Sequence, residues 1–423
     1  MQPTPAVHTV GHLRNTNRKT MPNQYAPRLS DLHGFARLGV DATAGVTDLV
    51  EAIHAAILRS DLTLRSTSPE RTTGITRLVY RSIRGATGLT GGVIDTMLAQ
   101  RGIAHERAST QREAIVAALN GVLGDHLAAT ANPLAIPMRM HHAGKPLTLR
   151  TDAFADAMLA NEIPDAGPKL VVLVHGLCMN DLQWTRDGHD HGRMLAETLG
   201  YTPLYLHYNS GLSISKNGRH FAEQLETLFK QWPVPVDEIA LIGHSMGGLL
   251  ARSACHHAAT LGHAWPSALR HLVCMGSPHQ GAPLERGGNW IDLVLGATPF
   301  AAPLARIGKI RSAGITDLRH GHDRAAVPLP KGVRSYAIAA TTGQRRGDLR
   351  DRWIGDGLVP VASALGHHPD PDHAVGFAKS RQWIGYDMNH LDLLSHPDVA
   401  DRLLRWLKPR GTPPAKPRAR RNT

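Results

Sequence analysis

The sequence predicts an α/β protein in which a mostly parallel central sheet carries helices on both faces, preceded by a helical N-terminal region. Three observations predict this fold. Short apolar strands alternate with helical patterns from about residue 136 onward, the strands are apolar on both faces, and one strand runs into a Gly-x-Ser-x-Gly turn that opens a helix. Strands of this kind are typical of a parallel sheet that is covered on both sides.

Changes in composition divide the chain. Residues 1–30 are polar and rich in proline and are predicted to be disordered, whereas residues 31–135 show the apolar periodicity of three or four amphipathic helices. Residues 136–409 carry the α/β pattern, and residues 284–330 form an apolar insertion that is either a lid over the site or an ordinary excursion packed on the sheet. The basic tail, 410–423, is predicted to be disordered.

The helical region leaves two interpretations open. Arg77, Arg81 and Arg84 alternate with apolar residues, so this helix could lie on an anionic lipid surface. The simpler expectation is that it packs on the main domain.

Within 136–409 the pattern begins with a β-hairpin over 136–150 and continues with alternating strands and helices. Strands are expected at Lys169–Val174, 203–208, 238–242, Leu269–Met275, 333–340 and 376–383. Helices are expected at 193–199, at 221–232, from Met246 and at 399–407. The segment 209–219 is expected to form part of the rim of the site.

Bulk composition limits the possible environments. The chain has 423 residues, a formal charge of +12 and three cysteines, which lie in apolar stretches and are expected to be buried thiols: Cys178, Cys255 and Cys274. The first thirty residues contain no apolar core of a signal peptide, and no apolar run is long enough to span a bilayer, so the expected location is cytoplasmic. The basic charge favours peripheral association with anionic membranes. No specific nucleic-acid binding is expected.

The most informative motif is Gly243-His-Ser-Met-Gly247, because an apolar strand precedes it and a helical pattern follows. A serine at such a strand-to-helix turn projects its hydroxyl above the sheet edge, and glycines on either side allow the backbone segments to pass closely. Ser245 is therefore the predicted nucleophile. His244 is expected to pack below the turn.

A serine nucleophile needs a histidine that takes its proton and an acid that orients the histidine. Both are expected after the serine, on loops that follow later strands. Asp356 lies between two glycines after one such strand, and His390 lies on the last loop before the closing helix. Asp387 and Asp392 compete for the acid role, but they share the loop of the histidine.

The negative charge that develops on the substrate oxygen needs two backbone N–H donors. Met246, directly after the nucleophile, is expected to supply one and Leu177, after the strand that ends at Val174, the other. His175, Gly176, Pro278 and His279 are expected to contact substrate.

These residues together resemble the α/β-hydrolase superfamily, and within it bacterial lipases and GPI inositol-deacylase-like esterases. The resemblance rests on five motifs, which cover about residues 136–409: Val-His-Gly-Leu (174–177), Gly-His-Ser-Met-Gly-Gly (243–248), Gly-Ser-Pro-His-Gln-Gly (276–281), Asp-Gly-Leu-Val-Pro (356–360) and Asn-His-Leu-Asp (389–392). It implies that Asp356 and His390 are the triad acid and base, and that 276–281 lines the pocket. It also implies a structural calcium site at Asp392, although no second carboxylate is identifiable at the expected place. No other cofactor is expected.

The sequence therefore predicts a serine hydrolase that cleaves carboxylic esters, with lipids or other apolar acyl esters as the favoured substrates. Thioesterase, amidase and acyltransferase activities use the same triad and remain alternatives. A hypothesis of a different class is a basic adaptor with an inert site that associates with membranes or nucleic acid.

Overall fold

The computed structural model describes residues 31, 33–34, 110–149, 155–281, 312–320, 327–345 and 355–409. Within these residues the chain forms an eight-stranded sheet in the order β2-β1-β4-β3-β5-β6-β7-β8. Strands β3 to β8 are parallel, and β1 runs antiparallel to both of its neighbours. The strands are β1 (Arg139–His142), β2 (Lys145–Pro146), β3 (Lys169–Val174), β4 (Thr202–His207), β5 (Glu238–His244), β6 (Leu269–Met275), β7 (Arg334–Thr341) and β8 (Gln382–Tyr386).

Helices connect the parallel strands and cover both faces of the sheet. They are α1 (Thr110–Ala129), α2 (Ala155–Glu162), α3 (His191–Leu199), α4 (Ile214–Gln231), α5 (Met246–Leu261), α6 (Ala313–His320), α7 (Val361–Ala364) and α8 (Pro397–Leu407). Short 3-10 helices lie at Asp181–Trp184, Trp265–Ser267, Pro371–His373, Lys379–Arg381 and Asp392–Leu394.

Alternate residues of each strand face two separate cores, as the apolar pattern predicts. In β3, Leu170 and Val172 join a core that contains side chains of α1, α4 and α5, whereas Val171 and Leu173 join a second core with side chains of α3 and α8. The sheet is therefore covered on both faces, and the predicted α/β fold is confirmed.

Helix α1 is placed where the sequence predicts a helix, but the expectation of amphipathicity is wrong for it. Residues 114–124 are buried on every side of the helix. Gly121 and Gly124 allow this burial, because a Cβ at either position would collide with Cys178 or Asn209 of the α/β region. The helix is thus packed into the first of the two cores.

Two predicted boundaries need correction. The last strand begins at Gln382 rather than at residue 376, because Phe377 is buried as a loop residue and the Gln382 side chain closes the intervening turn by donating to the Phe377 carbonyl. The predicted rim 209–219 is only half loop. Helix α4 begins at Ile214, where the Ser213 hydroxyl accepts from the Lys216 N–H and caps the helix.

Several predictions lie outside the described residues: disorder at 1–30 and 410–423, the helix that contains Arg77, and residues 284–311 and 321–326 of the predicted lid. The predicted division into domains stays a prediction. All three cysteines are free and buried, as predicted. Among the helices that the structure describes, none has the length and apolarity needed to cross a bilayer.

Candidate active site

Ser245 lies at the junction of β5 and α5 with φ 55° and ψ −124°, a backbone conformation that a residue with a side chain rarely adopts. Such strain costs roughly 1–3 kcal/mol and persists only where the surroundings impose it. They do so here, because a Cβ at Gly243 would collide with the backbone of Gly247 and one at Gly247 with the carbonyl of Val174. The Ser245 N–H also donates to the Met275 carbonyl at 2.8 Å. The predicted elbow is therefore present.

The structure brings His390 and Asp356 together. The distance between Nδ1 of His390 and Oδ2 of Asp356 is 2.7 Å, and the Asp356 side chain is completely buried. Its other oxygen, Oδ1, accepts from the backbone N–H groups of Leu358 and Val359 at 2.9 and 2.7 Å. A backbone hydrogen bond also joins the two residues, since the His390 N–H donates to the Asp356 carbonyl at 3.0 Å. Asp356 can thus fix both the orientation and the tautomer of the imidazole.

The two rival acids lie elsewhere on the histidine loop. Asp387 is exposed, with φ 54°, and its backbone N–H donates to the Gly343 carbonyl. The carboxylate of Asp392 accepts the Asn389 N–H at 2.8 Å and so holds the loop itself in shape. Of the three candidates, Asp356 is the one that meets the imidazole of His390.

Gly276 places His390 beside the elbow. This glycine follows β6 directly and has φ 57°, and a Cβ there would lie 3.0 Å from Cε1 of His390. The preceding residue, Met275, accepts the N–H of Ser245, so the imidazole and the serine lie against the same β6 terminus. Since Nδ1 bonds Asp356, Nε2 is the nitrogen left to accept a proton.

His244 supports the same loop from below, as predicted from its position. It is fully buried, its Nε2–H donates to the His390 carbonyl at 3.0 Å, and the two rings are 4.6 Å apart. Burial holds the pKa of His244 well below its usual value, so the ring is neutral.

The loop after β3 meets the elbow at Gly176, where a Cβ would lie 3.0 Å from Cβ of Ser245. The next residue, Leu177, and the first residue of α5, Met246, are both buried. Neither backbone N–H has a hydrogen-bond partner among the described residues. An oxyanion site requires two such unpaired backbone donors near the nucleophile. The oxyanion role stays a prediction.

His175 is buried beneath this loop. Its ring stacks on Tyr208 with centroids 4.2 Å apart, and its Nδ1 lies 2.9 Å from the Gly176 carbonyl. The Tyr208 hydroxyl donates to the backbone carbonyl of His175. Burial lowers the pKa of His175 to about 3. Its side chain supports the loop, and its predicted contact with substrate is untested.

Pro278 and His279 are buried on the loop after β6. His279 contacts Arg252 of α5 through Nδ1 at 2.9 Å and packs its ring against Phe377, with centroids 5.2 Å apart. Burial, followed by the charge of Arg252, holds the pKa of His279 well below its usual value. Their predicted role in binding substrate is also untested.

Sequence reasoning missed two features of the site. The sequence places Gly276 on a loop that lines the pocket but does not predict its close approach to His390, although a glycine directly after a strand is a signal for such an approach. Arg252 carries a buried guanidinium inside α5, and no local pattern distinguishes it from a surface arginine of an amphipathic helix.

The described residues contain one group that could hold a metal ion, and it does not include Asp392. It consists of His141, Asp181 and His207. The calcium expectation for Asp392 remains a prediction. Asp181 also lines a cavity of about 550 Å³, but none of the predicted catalytic, oxyanion or substrate-binding residues lines it.

Comparison with known proteins supports the α/β-hydrolase fold. The PGAP1-like alpha/beta domain family matches residues 168–300, which include the elbow. No curated protein matches the chain significantly.

Solved structures of similar fold include a Bacillus licheniformis lipase, BlEst2 in mature form, at 16% identity and a TM-score of 0.39, covering 56% of this chain and 91% of that one. The Pyrococcus furiosus esterase Pf2001 is similar at 15% identity and a TM-score of 0.35, and the match covers 58% of this chain and 82% of that one. The NocB thioesterase domain, in covalent complex with a fluorophosphonate nocardicin G analog, is similar at 16% identity and a TM-score of 0.36. That match covers 58% of this chain and 97% of that one. The strand order and the elbow, together with the family match, show an α/β-hydrolase fold.

Proposed function

We propose that this α/β-hydrolase-fold protein is a serine hydrolase that cleaves carboxylic esters through an acyl-enzyme. The observation that carries the proposal is the buried Asp356–His390 pair, whose Nδ1–Oδ2 distance is 2.7 Å, beside a serine that the backbone holds in a strained turn. A serine hydroxyl is a weak nucleophile at neutral pH without such a base.

In the first half-reaction, Oγ of Ser245 attacks the ester carbonyl carbon while Nε2 of His390 takes the hydroxyl proton. Asp356 keeps the proton on Nδ1 and stabilises the resulting imidazolium. The carbonyl oxygen becomes an oxyanion, which the N–H groups of Leu177 and Met246 bind. When His390 returns the proton to the leaving alcohol, the C–O bond breaks and the acyl group stays on Ser245.

In the second half-reaction water attacks the acyl-enzyme. His390 takes a proton from the water, and a second tetrahedral species forms. This species collapses to the carboxylic acid as the bond to Oγ of Ser245 breaks, and His390 returns the proton to the serine oxygen. Each oxyanion donor is worth about 3 kcal/mol in sites of this kind.

The proposed substrates are lipids or other apolar acyl esters. This choice rests on the lipase-like motifs and on the apolar residues of the insertion at 284–330, among them Trp290, Leu293 and Phe300. The sequence predicts that this insertion is either a lid or an excursion packed on the sheet, and an apolar lid would favour a substrate that buries an acyl chain.

The test is labelling of the full chain with a fluorophosphonate probe, followed by hydrolysis of p-nitrophenyl esters of increasing acyl length. We expect Ser245→Ala to abolish labelling and His390→Ala to reduce it strongly. Asp356→Asn should lower kcat by about 10⁴, because an asparagine stabilises the wrong tautomer of the histidine. Asp387→Asn is the matched control, since Asp387 is exposed and makes no contact with the imidazole of His390 among the described residues.

Failure of the folded wild-type protein to label would overturn the catalytic proposal and favour the adaptor. If kcat falls equally in Asp356→Asn and Asp387→Asn, Asp356 is not the triad acid. Labelling without ester turnover, but with turnover of a thioester or amide, would reassign the substrate class and keep the triad.

A further inference from the structure

A second cluster of titratable side chains lies on the other side of β3 from the elbow, at β1 and β4, and plays no part in the proposed reaction. His141 comes from β1, His207 ends β4, and Asp181 begins the 3-10 helix that follows β3. Each imidazole points Nδ1 at a different oxygen of the same carboxylate, with both N–O distances 2.7 Å. The two rings stack nearly parallel, with centroids 4.9 Å apart.

The backbone fixes this arrangement before any ligand binds. In the antiparallel β1–β4 ladder, His141 is opposite Tyr205 and His207 is opposite Arg139, so the two histidines are diagonal neighbours on one face. Asp181 is held by its own helix, where the Asn180 N–H donates to the Gln183 side chain at 2.9 Å. Three segments that are remote in sequence therefore converge on one point.

The carboxylate at that point is unusual in its partners. The Asp181 side chain is only 5% exposed, and within the described residues it pairs with no lysine or arginine. A buried carboxylate usually requires a cation or a metal as its partner. Its partners are instead two imidazoles, and imidazole nitrogens are the commonest metal ligands in proteins.

We propose that His141, Asp181 and His207 bind a divalent transition-metal ion of the zinc class. Two imidazole nitrogens and one carboxylate oxygen are a ligand set that zinc accepts, with water completing the coordination. Calcium and magnesium prefer oxygen ligands, so two imidazoles disfavour them. The donor atoms all lie within 4.8 Å of one another, and Asp181 lines the open cavity, which gives an ion a route to the site.

The ion would connect the loop after β3 to the edge of the sheet. Leu177 lies on the loop between β3 and the 3-10 helix, and Asp181 is the first residue of that helix, four positions further along the chain. Metal binding would therefore fix one side of the predicted oxyanion site by holding the loop. This is a positioning role and adds no metal to the reaction.

The experiment titrates Zn²⁺ and, separately, Co²⁺ into chelator-treated full-length protein by calorimetry and follows the visible absorption of the cobalt form. We expect one ion per wild-type chain and at least tenfold weaker binding in Asp181→Asn and His207→Gln, since each removes one of three ligands. His142→Gln is the matched control, because His142 lies on β1 but directs Nδ1 at the Pro203 carbonyl, so it should bind as the wild type does.

X-ray absorption of the zinc-loaded wild type provides a measurement that does not depend on the folding of any variant. Two imidazole ligands and additional oxygen ligands are expected. The proposal is overturned if the wild type binds no ion, if Asp181→Asn binds as tightly as His142→Gln, or if the spectrum shows no imidazole. Fluorophosphonate labelling of Ser245 is measured separately, so failure here is distinguishable from failure of the hydrolase proposal.

Discussion

At Gly276 the backbone adopts φ 57°, and the imidazole of His390 occupies the space where a side chain would begin. An alanine at position 276 would have two energetic costs. Its backbone conformation costs about 1–2 kcal/mol, and its Cβ would lie 3.0 Å from Cε1 of His390 and 2.8 Å from Cδ1 of Leu393. The ring must shift, and with it Nε2, the nitrogen that accepts the serine proton in the proposed mechanism.

We therefore predict that Gly276→Ala lowers kcat/KM by about 100-fold, the loss typical of a displacement near 1 Å at a reacting group. Gly332→Ala is the matched control, because Gly332 has φ 76° but a Cβ there meets no atom within 4 Å. In thermal unfolding Gly332→Ala should show only the cost of backbone strain, Gly276→Ala should lose at least as much stability because of the added contacts, and only Gly276→Ala should lose activity. A similar loss of activity in both variants would mean that backbone strain, and not contact with His390, is responsible.

At the scale of elements, α1 is the part of the N-terminal region that the structure ties to the site. A Cβ at Gly121 would lie 2.9 Å from the Cα and backbone nitrogen of Cys178, which follows Leu177 directly. The Ser312 hydroxyl donates to the Gly121 carbonyl at 2.6 Å, so the helix also contacts the segment before α6. This helix therefore supports the loop after β3 from behind.

Glycine to alanine inside a helix usually stabilises a protein by about 1 kcal/mol. We predict the opposite sign for Gly121→Ala, a loss of about 1–3 kcal/mol, because overpacking against the backbone of Cys178 outweighs the gain in helix propensity. Esterase activity should fall with it, since the loop moves. Ala128→Ser, on the exposed side of α1, should change stability by less than about 0.5 kcal/mol. A higher melting temperature for Gly121→Ala in thermal unfolding would refute the contact.

The elements that could be predicted from sequence are those with a local signal. Apolar runs located β3, β5 and β6, and motifs placed Asp356 and His390 on their loops. The start of β8 was misplaced because a buried loop residue, Phe377, has the same apolar character as a strand residue. Contacts between remote segments, such as Gly121 with Cys178 or His141 with Asp181, leave no periodic pattern, and only the tertiary fold brings them together.

At the scale of the whole molecule, four buried histidines link folding to pH. Burial lowers the pKa of His175 to about 3 and that of His191 to about 4, and it holds the values of His244 and His279 well below the usual one. All four are neutral in the folded protein, whereas in the unfolded chain their pKa is about 6.5.

The sign of the effect follows from proton uptake. Above pH 6.5 the four histidines are neutral in both the folded and the unfolded protein, so they do not lower the free energy of unfolding. As the pH falls below 6.5, the unfolded chain binds protons that the folded protein does not bind, so the free energy of unfolding decreases until the folded pKa is reached. Each histidine contributes up to about 1.4 kcal/mol per pH unit. The protein should therefore lose stability steeply between about pH 6 and 4.

His191 provides the test, because it lies outside the triad. Its Nε2 donates to the Leu393 carbonyl at 3.0 Å, Nδ1 faces His189, and Asp190 is the nearby acid. Glutamine at this position can still donate to Leu393 but cannot titrate. We predict that His191→Gln reduces the slope of unfolding free energy against pH by about 1.4 kcal/mol per unit between pH 6 and 4.5, in urea unfolding measured at several pH values. An unchanged slope would show that His191 is protonated in the folded protein or does not titrate on unfolding.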